Sequence, residues 1–182
     1  MPGSATSHAR CPWRRAFFIV AGKLLGYDSS TLPKRAAMSS TFEKTLAAID
    51  ALHAQDPQTT TLPNGDAQPK ELAYAQRMSR WLERLQETPS ELLRIAVRAQ
   101  HLQRWQLPRS DYPEGRIGYL TWRRDQSAQA GDTTAAIMEE AGYSQEEAKR
   151  VASMIRKQGL GRDSDVQALE DCACLVFLEN YF

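Results

Sequence analysis

Residues 88–99 read Thr-Pro-Ser-Glu-Leu-Leu-Arg-Ile-Ala-Val-Arg-Ala, and they join a helix start signal to an apolar face. Thr88 stands three residues before Glu91, which is the spacing of a capping box, and Pro89 stands at the first helical position. Apolar side chains then recur at the helical period, at Leu92, Ile95, Ala96 and Ala99. The stretch therefore predicts an amphipathic helix that is capped by Thr88 and packs one side against a core.

The same two signals continue on both sides of this stretch. Start signals of the capping-box type occur at Ser40 with Glu43, Ser144 with Glu147, and Ser164 with Gln167. Two further apolar stripes have helical spacing, Phe42-Leu46-Ile49-Leu52 and Leu72-Ala75-Met78-Leu82-Leu85. Residues 58–68 are polar and predict a loop, and no stretch shows the sustained alternation that predicts a strand. We therefore expect one all-α domain over residues 40–182, a bundle of six to seven helices.

The first 37 residues differ in composition from the rest of the chain. They carry a single acid, Asp28, and six basic residues, namely Arg10, Arg14, Arg15, Lys23, Lys34 and Arg35. This composition is typical of a mitochondrial transit peptide, and the alternative is that Met38 starts the protein and residues 1–37 are an upstream extension. We expect a disordered or transit-like leader and a cytoplasmic protein, or a mitochondrial one if residues 1–37 are a transit peptide.

Overall composition narrows the choice of partners. Lys and Arg total 23 against 22 for Asp and Glu, so the whole chain has almost no net charge and does not attract nucleic acid or a membrane by electrostatics alone. No apolar run reaches the ~18 residues that span a bilayer. Three cysteines, Cys11, Cys172 and Cys174, are too few for a disulfide framework and predict buried thiols in a reducing compartment. We expect an intracellular protein without a membrane partner.

The last predicted helix is unusually apolar. All seven residues from Cys172 to Leu178 are apolar, so the apolar surface goes right round the helix axis. A helix of this kind is typical of a central position in which it is covered on every side. The sequence ends at Phe182, directly after this run. We therefore expect a chain that is truncated at its C terminus and lacks the packing partner of this helix.

Arginine and aromatic residues are concentrated between Arg94 and Arg124. This segment holds seven arginines, no lysine, and only the acids Asp111 and Glu114. Planar guanidinium groups bind phosphate or carboxylate, and flat aromatic faces stack on bases. The pattern predicts a pocket for an anionic or phosphorylated ligand, which is a small molecule such as a nucleotide or, more weakly supported, RNA. Its predicted ligand residues are Arg104, Trp105, Arg109, Tyr112, Arg116, Trp122 and Arg123.

Helical spacing predicts that part of this segment shares one face. Arg94, Arg98, His101 and Trp105 recur at i, i+4, i+7 and i+11 of the helix that follows Glu91. A turn-rich loop over residues 108–116 comes directly after this face, and ordered loops beside a helix often carry sites. The alternative is a solvated face whose arginines pair with acids elsewhere in the chain.

Glu170 and Asp171 come just before the apolar run of the last helix. A carboxylate on a buried helix must be hydrogen-bonded, paired or bound to a metal. One interpretation is a salt bridge to an arginine of residues 94–124, and the other is a catalytic or metal-binding role. The chain has no Gly-rich phosphate loop, no Gly-x-Ser-x-Gly motif and no zinc-ligand spacing, so no familiar catalytic motif accompanies these carboxylates.

Several short motifs resemble the DUF4202 family. They are residues 99–105 (Ala-Gln-His-Leu-Gln-Arg-Trp), Pro108-Arg109, residues 112–116 (Tyr-Pro-Glu-Gly-Arg), residues 118–120 (Gly-Tyr-Leu), Trp122-Arg123 and Leu169-Glu170-Asp171. The resemblance extends over nearly everything after Ser40. Members of that family continue beyond the position equivalent to Phe182, which agrees with the truncation expected above.

At a further remove, the helix order is similar to that of the HD-domain phosphohydrolases. In that family a first-helix histidine, a His-Asp pair and a late aspartate hold a divalent metal. The similarity implies an HD-like bundle, a divalent metal cofactor and a phosphohydrolase in which His101 and Asp171 are catalytic and metal-binding. At two positions where that family has metal ligands, this chain has Tyr74 and Leu102 instead. Glu71 or Glu170 would supply further ligands. A third hypothesis is a structural or partner-binding helical domain.

Overall fold

The structure is a computed structural model that describes residues 40–181, and of their side chains those of residues 41–180. This part of the chain is essentially all-α, as the sequence predicts. Its elements are α1 Ser40–His53, β1 Thr59–Thr61, β2 Ala67–Pro69, α2 Lys70–Leu85, α3 Glu91–Ala99, α4 Gly115–Ala141, α5 Gln145–Ile155 and α6 Ser164–Tyr181. Two single-turn 3-10 helices, Arg104–Gln106 and Arg109–Asp111, lie between α3 and α4.

The six α-helices of the described residues agree with the predicted six to seven. The HD-like helix order stays a prediction. The predicted leader, residues 1–37, lies outside the described residues. Within residues 40–181, no helix is both long enough and apolar enough to cross a lipid bilayer.

α3 lies at the centre of the bundle, where it contacts all five other helices. Leu93 and Val97 are buried as fully as Ile95, Ala96 and Ala99, so apolar side chains cover most of the circumference of this helix. The stripe predicted from the sequence therefore underestimates how much of α3 is buried. A helix this short is marginal by itself, and its stability comes mainly from packing.

Side-chain caps begin α3 and α5. Ser144 caps α5 in a complete capping box, in which its hydroxyl accepts from Glu147 N and the Glu147 carboxylate accepts from Ser144 N, as predicted. At α3 the cap is Ser90 rather than Thr88, because the Ser90 hydroxyl accepts from Leu93 N at 3.2 Å. Sequence spacing does not decide which of the two hydroxyl residues is the cap, because Thr88 and Ser90 lie on either side of Pro89.

The start of α6 also differs from the prediction. Asp163 Oδ1 accepts from the backbone N–H groups of Asp165 and Val166, so Asp163 rather than Ser164 caps this helix. Arg150 donates to the two Asp163 oxygens at 2.5 and 3.0 Å, which orients the carboxylate. The hydrogen bonds from Arg150 lower the pKa of Asp163 to about 2. The cap is therefore fixed by a residue of α5, which sequence spacing does not reveal.

α6 is covered on one side only, although seven consecutive apolar residues are typical of a helix that is covered on every side. Its inner side packs on α2, α3 and α5 and buries Cys172 and Val176. On its other side Phe177 and Leu178 are 53% and 51% exposed, and Cys174 is exposed as well. The predicted central position is wrong for the described residues, because α3 occupies the centre. The expectation that this chain lacks the packing partner of α6 stays a prediction. The prediction of buried thiols holds for Cys172 and is wrong for Cys174, while Cys11 lies outside the described residues.

A short hairpin stands where the sequence predicts only a loop. β1 pairs antiparallel with β2, with Thr59 opposite Pro69 and Thr61 opposite Ala67. No residue of either strand is buried, and the strand sequences Thr-Thr-Thr and Ala-Gln-Pro lack the apolar alternation by which strands are recognised. The hairpin leads directly into α2, where Asp56 Oδ2 accepts from Glu71 N at 3.0 Å. This hydrogen bond fixes the first turn of α2 and thereby the position of Glu71.

Candidate functional site

The loop after α3 carries most of the residues predicted to be functional. α3 ends at Ala99, and Gln103 adopts a left-handed backbone conformation with a φ of 56°. Side chains of α4 bind the backbone carbonyls that this turn leaves free, since Trp122 Nε1 donates to Leu107 O at 2.8 Å and Gln126 donates to the same carbonyl at 3.2 Å. These contacts from a distant helix stabilise the turn. The continuous helix predicted through residue 105 therefore does not form.

Arg94 and Arg98 do not share a site with His101. Arg98 forms a two-point ion pair with Asp50 of α1, in which both N–O distances are 2.7 Å, and it donates to Ser79 of α2. Arg94 donates to Pro89 O at 3.4 Å. The predicted common face of Arg94, Arg98, His101 and Trp105 is therefore wrong. For Arg98, pairing with an acid elsewhere in the chain is the correct interpretation.

A cavity of about 970 Å³ opens between α2, α6, the first part of α4 and the loop after α3. Its acidic lining residues are Asp56, Glu71 and Glu170. Its cationic lining residues are Lys70, Arg77, Arg104, Arg109, Arg123 and Lys157. Cations therefore outnumber acids two to one around this cavity, although the chain as a whole is almost neutral.

Six of the residues predicted from the sequence line this cavity together, namely His101, Arg104, Trp105, Arg109, Trp122 and Arg123. The structure does not bring the other three to it. Arg116 is exposed and belongs to the first turn of α4 rather than to a loop. Tyr112 contributes its backbone carbonyl to Arg109, at 2.9 Å from Nη1. Asp171 is exposed and accepts from Gln167 Nε2 at 2.8 Å.

Glu170 lines the cavity, although its neighbour Asp171 does not. Glu170 forms an ion pair with Lys157, which lies in the turn after α5 with a φ of 57°. The interpretation that this carboxylate pairs with an arginine of residues 94–124 is therefore wrong. Lys157 is not among the residues predicted from the sequence, and its local signal is its position two residues before Gly159 in a segment that predicts a turn.

His101 lies among three other side chains of the lining. Its ring stacks on Tyr74, with centroids 4.2 Å apart and an angle of 11° between the planes. Nδ1 lies 3.3 Å from Glu71 Oε2, and Nε2 lies 3.1 Å from Nη1 of Arg104. Burial lowers the pKa of His101, and the charge of Arg104 acts in the same direction while Glu71 opposes both. The imidazole is therefore neutral at pH 7.

Glu71 is ionised beside this imidazole. Burial acts to raise the pKa of Glu71, but the contact with His101 and the charge of Arg104 together outweigh burial and leave the pKa below its ordinary value. For Tyr74 the pKa shifts upward, because burial and the Glu71 charge both raise the pKa of its hydroxyl. This hydroxyl donates to Gln100 Oε1 at 3.1 Å. The neutral His101 ring therefore lies between the Glu71 carboxylate and the Arg104 guanidinium and contacts both.

The divalent metal implied by the HD-domain similarity does not fit these side chains. Among the side chains of residues 41–180, no group of three or more His, Cys, Asp and Glu residues lies close enough together to hold a metal ion. His101 and Glu71 offer one imidazole and one carboxylate, and so few protein ligands bind a divalent metal weakly. Asp171, the other ligand that the similarity implies, does not line the cavity.

Four arginines line the cavity, Arg77, Arg104, Arg109 and Arg123, and within the described residues none of them has a carboxylate oxygen within 4.0 Å. Three of them, Arg104, Arg109 and Arg123, lie on the loop after α3 and on α4, and their contacts are with uncharged groups. Arg104 packs over the Trp122 ring, 5.1 Å from its centroid, in addition to its contact with the neutral His101. Arg109 donates to two backbone carbonyls at 2.9 Å each, and Arg123 donates to the Tyr119 hydroxyl at 3.1 Å. This arrangement leaves the cavity able to bind an anion.

His53 gives the fold a predicted pH dependence. It is fully buried, Nε2 donates to Arg98 O at 3.0 Å, and burial lowers the pKa below its ordinary value of 6.5. Below pH 6.5 the His53 imidazole therefore binds a proton in the unfolded chain but not in the folded chain. The contribution of neutral His53 to the free energy of unfolding is complete above pH 6.5, and it is lost as the pH falls through the lowered pKa.

We expect wild-type protein to be less stable at pH 5.5 than at pH 7.5 in urea unfolding. His53→Gln, whose amide can still donate to Arg98 O, is expected to reduce this difference. The remainder would come in part from His101, whose pKa is also lowered. An equal pH dependence in the two proteins would show that His53 is not excluded from protonation in the folded state.

Comparison with known proteins supports one assignment. Neither the curated proteins nor the solved structures contain a significant match to this chain. The family model described as a domain of unknown function, DUF4202, matches residues 43–182, which include every helix that lines the cavity. That match confirms the resemblance carried by the motifs from Ala99 to Arg123. The chain therefore belongs to the DUF4202 family.

Proposed function

We propose that the cavity binds a phosphorylated small molecule, with the phosphate among Arg104, Arg109 and Arg123. The observation that supports this most strongly is that these three guanidinium groups line one cavity and have no carboxylate partner within 4.0 Å in the described residues. Arg98 and Arg150, which lie outside the cavity, each have such a partner. An anionic ligand would supply the missing charge.

The chemistry of the three groups favours phosphate over other anions of the cell. A guanidinium presents donors in a planar fork, and several such forks together can reach the oxygens of a tetrahedral phosphate. Charge-assisted hydrogen bonds of this kind are roughly twice as strong as neutral ones. Carbonyl contacts already orient Arg109, so its side chain would lose little further freedom on binding.

The size of the cavity favours a small molecule over a nucleic acid. Its volume of about 970 Å³ is near the upper end of the ~300–1,000 Å³ typical of small-molecule sites. Trp105 is partly exposed in the lining and is available to stack on an aromatic group of the ligand. Trp122 is nearly buried and already has Arg104 over its ring, so it supports the guanidinium rather than the ligand.

Arg104→Gln is the variant that tests this function. Loss of one charge-assisted contact to phosphate is expected to weaken binding about tenfold. Isothermal titration calorimetry on the full chain would compare inorganic pyrophosphate and the four common nucleoside 5′-monophosphates. Arg116→Gln removes an equal charge from the exposed surface of α4 outside the cavity and is expected to leave the affinity within about twofold.

The outcomes separate the proposal from its alternatives. Absence of binding by every probe, or equal weakening by Arg104→Gln and Arg116→Gln, would overturn the proposed function. A single-stranded RNA decamer that binds while all small probes fail would favour nucleic acid instead. Thermal unfolding of both variants, followed by circular dichroism, ensures that a weaker affinity does not reflect a loss of folded protein.

A further inference from the structure

The wall of the cavity formed by α6 has a different chemistry from the arginine end. Of the α6 residues that line it, four have side chains without a hydrogen-bonding group, namely Ala173, Val176, Phe177 and Leu178, whereas Glu170, Cys174 and Asn180 are polar. Glu170 already pairs with Lys157, and the Asn180 amide donates to Val176 O at 2.6 Å. Phe177 and Leu178 are half exposed although both are large and apolar. The cavity therefore has two unlike parts, a cationic end made by the loop after α3 and the first part of α4, and a largely apolar wall made by α6.

The two parts line the same space, so one ligand can contact both. An apolar group laid against α6 would be removed from water together with the side chains that it covers, which is favourable in proportion to the apolar area buried. A sugar or another hydroxyl-rich group laid against Ala173, Val176, Phe177 and Leu178 would leave polar atoms without partners there, which is unfavourable. The α6 wall therefore discriminates between classes of phosphorylated molecule.

We infer that the ligand of this cavity is a phosphate ester of an apolar alcohol, with its phosphate at the arginines and its apolar group on the α6 wall. This inference rests on the proposed function, and it adds the class of molecule to which the phosphate is attached. The charge of the arginine end is what favours such a ligand over a second protein on this half-exposed face, because an apolar partner surface without an anion would leave those arginines unpaired.

Three probes of increasing apolar length test the inference on the full chain. They are methyl phosphate, hexyl phosphate and the uncharged hexanol, each titrated by calorimetry or by chemical-shift changes of the tryptophan indole N–H groups. Hexyl phosphate is expected to bind at least about tenfold more tightly than methyl phosphate, since burial of two methylene groups is enough for that difference. Ribose 5-phosphate is expected to bind no more tightly than methyl phosphate.

A pair of variants with matched exposure locates the effect. Leu178→Asn, at a position that is 51% exposed in the cavity wall, is expected to weaken hexyl phosphate about fivefold and methyl phosphate less than twofold. Leu160→Asn, at a position that is 47% exposed and outside the cavity lining, is expected to change neither affinity. Neither position is buried in the core, so both variants are expected to fold.

The failure of this inference differs from the failure of the proposed function. Equal binding of methyl and hexyl phosphate, both weakened by Arg104→Gln, would overturn the inference alone. Binding of hexanol as tight as that of hexyl phosphate, unaffected by Arg104→Gln, would overturn the proposed function and the inference together. A dimer detected by analytical ultracentrifugation and dissociated by Leu178→Asn would also overturn the inference, because the α6 wall would then be covered by a second copy of the chain.

Discussion

Leu169→Ala is expected to lower the free energy of unfolding by about 3 kcal/mol, within the ~2–5 kcal/mol typical of buried leucine truncations. Leu169 is fully buried in the core cluster on the inner side of α6, and this helix packs on α2, α3 and α5. Removal of its side chain would leave a cavity where these helices meet, and neighbours from different helices cannot all move in to fill it. Urea unfolding followed by tryptophan fluorescence would measure the loss.

Leu178→Ala provides the matched control on the same helix. Leu178 is half exposed on the opposite side of α6, so its truncation is expected to change the free energy of unfolding by less than about 0.5 kcal/mol. The apolar run alone predicts a helix covered on every side and therefore similar losses at both positions. Equal destabilisation by the two substitutions would contradict the one-sided packing of α6 described above.

Gly118→Ala is the second substitution with a large expected effect. A methyl group at this position would lie 1.9 Å from the carbonyl oxygen of Pro113 and 2.7 Å from its carbonyl carbon. Both atoms belong to the backbone, so either the first turn of α4 or the loop before it must move. We expect a loss of about 3 kcal/mol in the free energy of unfolding, at the upper end of the cost of overpacking.

The same substitution is expected to weaken phosphate binding. Arg109 donates through Nη2 to Pro113 O at 2.9 Å, and this is the carbonyl that the new methyl group would displace. Helix propensity alone predicts the opposite sign for stability, because alanine is about 1 kcal/mol more favourable than glycine inside a helix. A Gly118→Ala protein that is as stable as wild type would show that the contact with Pro113 is not tight. Leu120→Ala, at an exposed position two residues further along α4, is the control and is expected to have little effect.

The helices could be predicted because their signals are local. A capping box joins residues three apart, and an apolar stripe repeats within one helix, so Ser144 with Glu147 marks the start of α5 without knowledge of any other element. The same kind of signal misplaced the caps of α3 and α6. At α6 the cap depends on Arg150, whose guanidinium orients Asp163 from another helix. Where a distant side chain decides between two neighbouring candidates, local spacing is not enough.

In the candidate site too, local signals predict some features and distant side chains decide the others. The excess of arginine and aromatic residues between Arg94 and Arg124 was visible in the sequence, and six of the predicted residues line one cavity. Arg98 and Arg104 look alike in that segment, yet Arg98 pairs with Asp50, which lies 48 residues earlier in the chain, while Arg104 lies over Trp122 in the cavity. No local feature separates a structural arginine of this kind from one available to a ligand.

The sequence by itself determined that the chain from residue 40 onward is all-α and belongs to the DUF4202 family, because periodicity, capping and motif are properties of short segments. Only the tertiary structure decided that Glu71 lies beside His101, that Glu170 rather than Asp171 lines the cavity, and that one side of α6 faces outward. The physical reason is that these arrangements depend on how helices distant in sequence pack around α3, which sets the rotation of each helix and the direction of its side chains.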